Sequence, residues 1–190
     1  MLPRRIYEHL YDKISKENYF ESFNSNDIRL RGGLTLEIFL KGCRLPTEEE
    51  YIILKRVSDH KYYIIFNKKL ENGFPHTHYN YIFLPSNVFT EWGSGISLKR
   101  LLKHESLHIY QRFNPCEFNK YLEKVKGYKI YGLTGNDEAR SNPDINFLLY
   151  KDSRGVLIDN RYKNADVSNI NEINDKRDHP YEVYAYANED

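Results

Sequence analysis

The chain has 190 residues, a length one domain can fill, and its 40% hydrophobic and 29% charged residues favour a buried core over a disordered chain. Lys and Arg total 28 against 27 Asp and Glu, a formal charge of +1; with no long block of one sign, no nucleic-acid partner is expected. No apolar run reaches the roughly 20 residues of a membrane helix. The opening Met1-Leu2-Pro3-Arg4-Arg5-Ile6-Tyr7-Glu8 lacks the apolar stretch of a signal peptide, and Cys43 and Cys116 are too far apart for a C-x-x-C site. The expectation is a soluble, intracellular protein with no membrane partner.

Ile6, Leu10 and Ile14 recur every four residues, which predicts a helix packed by one face in the stretch up to about Phe23. Residues 24–27 read as a loop and Arg31-Gly32-Gly33 as a break, with helix slightly favoured for 34–40. Thr47 ahead of Glu48-Glu49-Glu50 supplies a capping box and three acids at the positive end of the helix dipole, predicting a helix over about 48–58. Residues 62–66 and 78–84 read as neighbouring strands of a small sheet, with a turn signal at Glu71-Asn72-Gly73 and Pro75 tolerable only at a strand start or edge. A long periodic helix, about 97–112, follows Gly93-Ser94-Gly95. Beyond it come a turn at Asn142-Pro143-Asp144, a candidate helix at 145–150, a long polar loop over 160–178 and a short helix after His179-Pro180. The expected organisation is one domain, 1–190, with a helical part at 1–60, strands and the long helix at 61–112, and a C-terminal part at 113–190.

The long helix contains His104-Glu105-Ser106-Leu107-His108, an H-E-x-x-H pentapeptide. Residues i and i+4 share a helix face, so the two imidazoles can converge on one zinc ion with Glu105 beside the metal-bound water as general base. Leu98, Leu102 and Ile109 fall in the sector of Glu105, which puts the metal side on the buried side. This composition yields about 0.02 such pentapeptides by chance. A catalytic zinc normally takes a third protein ligand and keeps one position open. Glu182 is favoured, since it begins the last helix and Ala185, one turn on, permits close helix packing; Glu138 and His179 are the alternatives.

Supporting roles follow from chemistry. An oxyanion needs a donor, for which Tyr184, Tyr186, Tyr150 and His78 are candidates. His76 and His78 alternate along a strand and can face the cleft together. Arg112, one turn beyond His108, is a candidate substrate or transition-state contact with His78, Tyr184 and Tyr186; it can also pair with Asp144 and hold the Asn-Pro-Asp turn near the metal.

The helix His104-Glu105-Ser106-Leu107-His108-Ile109-Tyr110-Gln111-Arg112, with Phe74-Pro75-His76-Thr77-His78 before it and Asn142-Pro143-Asp144 and His179-Pro180-Tyr181-Glu182-Val183-Tyr184-Ala185 after it, resembles the zincin metallopeptidases. More narrowly, it resembles uncharacterised zincin-like proteins of large DNA viruses and protists, over about 70–190. The resemblance implies an α+β fold: a small mixed sheet whose edge strand borders the cleft, an active-site helix with His104 and His108 as ligands and Glu105 as base, and a mostly helical C-terminal part with a third, glutamate ligand. It implies a viral protein, placed in the host cytoplasm or virion. The expected activity is zinc-dependent hydrolysis of a peptide or protein substrate bound along 78–84 by strand pairing. A catalytically inactive zinc-stabilised peptide-binding or structural module, and a zinc hydrolase of another substrate, are the alternatives. The oligomeric state is left open.

Overall fold

The computed structural model describes residues 1–133, 141–158 and 178–189. Glu138, and the expected loop at 160–178 apart from Asp178, lie outside the described residues. The fold is mixed α+β with two small sheets.

Helix α1 (Arg4–Ser15) buries Leu10 and Ile14 completely, as their spacing predicts. The expected loop at 24–27 instead starts a helix, α2 (Ser25–Arg31). Asn24 accepts from the Asp27 N–H while Asp27 accepts from the Asn24 N–H, and Gly32, in the left-handed region at φ 61°, ends the helix. Turn-forming side chains at helix position N-cap and N3 are cap chemistry as readily as loop chemistry. Helix α3 (Leu36–Lys41) is capped by Thr35; the short strand β1 (Cys43–Arg44) and helix α4 (Glu48–Val57), with the Thr47–Glu50 box, come next.

The first sheet adds β2 (Tyr63–Phe66), β3 (His76–His78) and β4 (Tyr81–Pro85) in the order β1-β2-β4-β3. Strands β2 and β4 are parallel neighbours; the other pairs are antiparallel. The expected strand at 78–84 is thus a tight hairpin, broken where Tyr79 turns to φ 53°, and most of it, β4, lies inside the sheet. Strand β3 is one edge of the sheet and β1 the other.

Alternation assigns the faces. Ile64, Phe66 and Phe83 join Leu10, Ile14 and Phe39 of the N-terminal helices in one core. Ile65, Ile82 and Leu84 pack with Leu98, Leu101 and Leu102 in another. The short helix α5 (Val88–Glu91) leads into α6 (Ile96–Phe113), which supplies those leucines. Each such side chain, fully buried, contributes about 1.5–3 kcal/mol, so α6 is held rigidly against the sheet.

Among its described residues the C-terminal part is not mostly helical. After α7 (Pro115–Lys126), the strands β5 (Lys129–Leu133), β6 (Leu148–Lys151) and β7 (Leu157–Ile158) form an antiparallel sheet. Strand β6 takes the place of the helix expected at 145–150: a short apolar run has no periodicity by which to choose. Helix α8 (Pro180–Ala187) closes the described chain, and Tyr181 joins Phe118, Leu122, Tyr150 and Ile158 in a third core. Among the described residues no helix is long and apolar enough to cross a membrane.

Candidate metal centre

Helix α6 carries His104, Glu105 and His108 on its buried side, with exposures of 7%, 3% and 1%. Helix α8 packs against it, with Ala185 fully buried. Proline at the first turn needs no N–H partner, and His179 caps this end by accepting the Tyr181 N–H on Nδ1. That geometry delivers Glu182 to the two imidazoles.

The donor atoms form a nearly regular triangle. His104 Nε2 and His108 Nε2 lie 3.0 Å apart, and Glu182 Oε2 lies 3.4 Å from the first and 3.3 Å from the second. Two ligand atoms on a tetrahedral zinc with bonds of about 2.0–2.2 Å are separated by about 3.3–3.6 Å. Spacing and donor type, two imidazoles and one carboxylate, therefore suit a divalent zinc with a position left for solvent.

Two side chains aim these donors. Gln111, fully buried, donates from its amide nitrogen to the Tyr181 carbonyl at 3.0 Å, which turns its oxygen to His108 Nδ1 at 2.9 Å. His108 Nδ1 must then carry a proton, so Nε2 is the atom presented to the cluster. Asn142 donates to Glu182 Oε1 at 2.7 Å, fixing the carboxylate whose other oxygen faces the histidines. His104 has the Tyr186 ring against it, centroids 4.5 Å apart, and its Nδ1 is 3.5 Å from Glu189.

Electrostatics point to a demand for positive charge. Burial alone would lower the His108 pKa, but Glu182, then Asp144, raise it to about 10. Burial likewise opposes ionisation of Glu182, yet the two histidines hold it well below the ordinary value. A cation there would replace the proton on His108. Glu105 is pushed well above the usual carboxylate range, by burial first and by Asp144 second, and its Oε2 is enclosed without a hydrogen-bond partner.

Arg112 braces the surroundings. Its guanidinium donates to the Thr77 hydroxyl at 2.8 Å, the Thr77 and Tyr79 carbonyls at 3.0 Å each, and the Pro143 carbonyl at 2.7 Å. Asp144, 3.6 Å from Arg112, accepts the Thr77 N–H at 2.8 Å. The Asn-Pro-Asp turn is thus clamped between α6, β3 and α8.

These contacts correct several expectations. Arg112 does not line the cleft; it lies beside Asp144 and holds the Asn-Pro-Asp turn, as its other expected role has it, with its donors on Thr77, Tyr79 and Pro143. His78 faces the same way as His76, but into the N-terminal aromatic layer, fully buried and 2.6 Å from Glu17. Tyr184 packs edge-on against Phe118 and Tyr121, and Tyr150 is core, bonded to Asn119. His179, consumed as a cap, is not part of the donor cluster. Of the expected contacts Tyr186 lines the cleft, a cavity of about 450 Å³ that also has His104, Glu105 and Glu182 in its wall. Sequence reasoning assigned no role to Gln111, although its i+3 position from His108 is the available signal, and none to Asn142 beyond a turn. No protein-family model matches the chain, and no curated protein or solved structure matches it either.

Proposed function

We propose that the protein is a zinc-dependent, zincin-like metallopeptidase with His104, His108 and Glu182 as metal ligands and Glu105 as general base. The observation that carries this is the triangle of donor atoms, 3.0–3.4 Å on a side, next to a buried carboxylate with an unpartnered oxygen in the wall of an open cleft. A purely structural metal site has no use for that carboxylate.

Bound zinc would supply acidity to a water molecule and polarise a substrate carbonyl. Glu105 Oε2 takes the proton of the attacking water and returns it to the leaving amine. General acid–base transfer of this kind is worth about 10²–10⁴-fold in rate. Gln111 and Asn142 hold His108 and Glu182 in place. Tyr186, at the mouth of the cleft, is placed to touch the substrate.

The substrate enters the cleft rather than extending the sheet along 78–84. Strand β4 is flanked on both sides, and on the edge strand the Thr77 N–H and carbonyl are taken by Asp144 and Arg112. The next residue in that alternation, Pro75, has no N–H to offer.

Glu105→Gln is the test. The variant should bind zinc like the parent and lose hydrolysis of a peptide library by about 10²–10⁴-fold. Undiminished turnover, or loss of zinc along with activity, refutes the role given to Glu105.

A further inference from the structure

The cleft extends beyond the metal centre. Its wall also includes Phe74 and Pro75 and a buried polar recess formed by Tyr19, Arg31, Glu71 and His76. Glu71 is 6% exposed. Its Oε2 accepts from the Tyr19 hydroxyl at 3.1 Å and from Arg31 at 3.0 Å, whereas its Oε1 is enclosed without a hydrogen-bond partner. His76 is 4% exposed. Its Nδ1 donates to the Phe74 carbonyl at 2.9 Å and its ring stacks on Phe83 at 5.5 Å, which leaves Nε2 as a second enclosed, unpartnered acceptor.

Among the described residues neither acceptor has a donor to spare nearby. Arg31 is engaged by Asp27, Glu71 and the Ser141 carbonyl. Burial lowers the His76 pKa to about 4, so the ring is neutral at pH 7 and cannot itself donate from Nε2. Glu71 is also held at φ 45°, followed by Asn72 at φ 54°. Left-handed backbone disfavours a side-chain-bearing residue and persists only where its surroundings enforce it; here Tyr19 and Arg31 do so. Among the described residues the cleft wall carries six carboxyl groups and one guanidinium, and its ionised acids draw in positive charge.

Two buried acceptors in an acidic cleft match a group that only donates. Ammonium offers three N–H bonds and guanidinium five, with no lone pair to repel Glu71. We propose that the Glu71–His76 recess is a subsite for an organic cation, a primary ammonium or guanidinium group of the substrate, bound by Glu71 Oε1 and His76 Nε2. Its part in choosing the peptide rests on the hydrolase assignment of the adjacent centre; the binding does not.

Three probes test it on the full chain, metal-free and zinc-loaded, by NMR titration of the His76 ring and by calorimetry. N-acetyl-argininamide carries only a side-chain cation, norleucinamide only an α-ammonium, and N-acetyl-norleucinamide no charge. At least one charged probe should bind tenfold or more tighter than the neutral one and shift the His76 ring signals. Which one does so identifies a basic side chain or a free amino terminus as the source. Glu71→Gln should reduce the preference to threefold or less. Since Glu71 is part of a buried ion pair and its variant can fail to fold, His76→Phe, which keeps the stack on Phe83, provides the same comparison. Equal binding of all three probes, or a preference unchanged in both variants, overturns the subsite. Charge-selective binding without hydrolysis of any matching peptide refutes the hydrolase and leaves the subsite standing; hydrolysis indifferent to charge does the reverse.

Discussion

Gln111→Met keeps a side chain of similar length in a fully buried position while removing both hydrogen bonds that Gln111 makes. The His108 Nδ1–H is then stranded, at a cost of about 1–3 kcal/mol, and the Tyr181 carbonyl, in the first turn of α8, loses its side-chain partner, at about 0.5–1.5 kcal/mol. Stability should fall by about 2–4 kcal/mol, as urea unfolding of the metal-free protein would register. Zinc affinity should fall by about 10–100-fold, the usual effect of losing a ligand histidine's outer partner, measured by competition with a chromophoric chelator. Gln111→Glu separates the two effects. A carboxylate still accepts from His108 but gives nothing to Tyr181, so zinc should bind at least as tightly as in the parent while about 0.5–1.5 kcal/mol of stability is lost. A folded Gln111→Met protein that binds zinc within twofold of the parent would mean that packing alone orients His108, and the argument for Gln111 would fail.

Two further outcomes are expected. Arg112→Met removes four hydrogen bonds to the hairpin and the Asn-Pro-Asp turn from a side chain that is 21% exposed. It should cost about 3 kcal/mol or more while changing zinc affinity less than Gln111→Met does; a loss under about 1 kcal/mol would show that the turn is held by other means. His76 and His179 are both lowered to about 4 by burial. Below their ordinary value of 6.5 the unfolded chain binds protons that the folded chain refuses. Stability is therefore full above that value and declines as pH falls towards 4, by about 3 kcal/mol per histidine. Glu105, held well above the ordinary carboxylate range, contributes with the opposite sign, so the readout is a difference: in urea titrations of the metal-free protein between pH 7.5 and 4, His76→Phe should lower the slope by about one proton relative to the parent, and an unchanged slope would contradict the buried, neutral state of that ring.

Local signals in the sequence carried much of this structure. The spacing of Ile6, Leu10 and Ile14, the Thr47–Glu50 box and the period of α6 each depend on neighbours within one or two turns, and each element formed where expected. The same cap chemistry at Asn24 and Asp27 passed for a loop because no apolar periodicity follows it. Helix α7 was not foreseen: it is charge-rich, buries only Phe118 and Leu122, and opens on Pro115, which reads equally well as a break or as a first helical residue. At the site, the convergence of His104 and His108 is written in their i, i+4 spacing. The roles of Gln111 and Asn142 depend on partners in α8, 70 and 40 residues away, a separation no local pattern encodes. His78 faces the core rather than the cleft for a related reason. Alternation says which residues share a face, but only the layers packed on the sheet decide whether that face meets solvent or core.

The placement of Glu182 on a separate short helix has a mechanical corollary. A cation gripped jointly by α6 and α8 would tie together two points of the chain 74 to 78 residues apart, a closure comparable to a disulfide of about 4 kcal/mol. Unlike a disulfide, such a tie would be undone by a chelator. The grip of α8 on the rest of the molecule would then be a quantity set by the surrounding ion concentration, and with it the shape of the wall that Glu182 and Tyr186 present to anything entering.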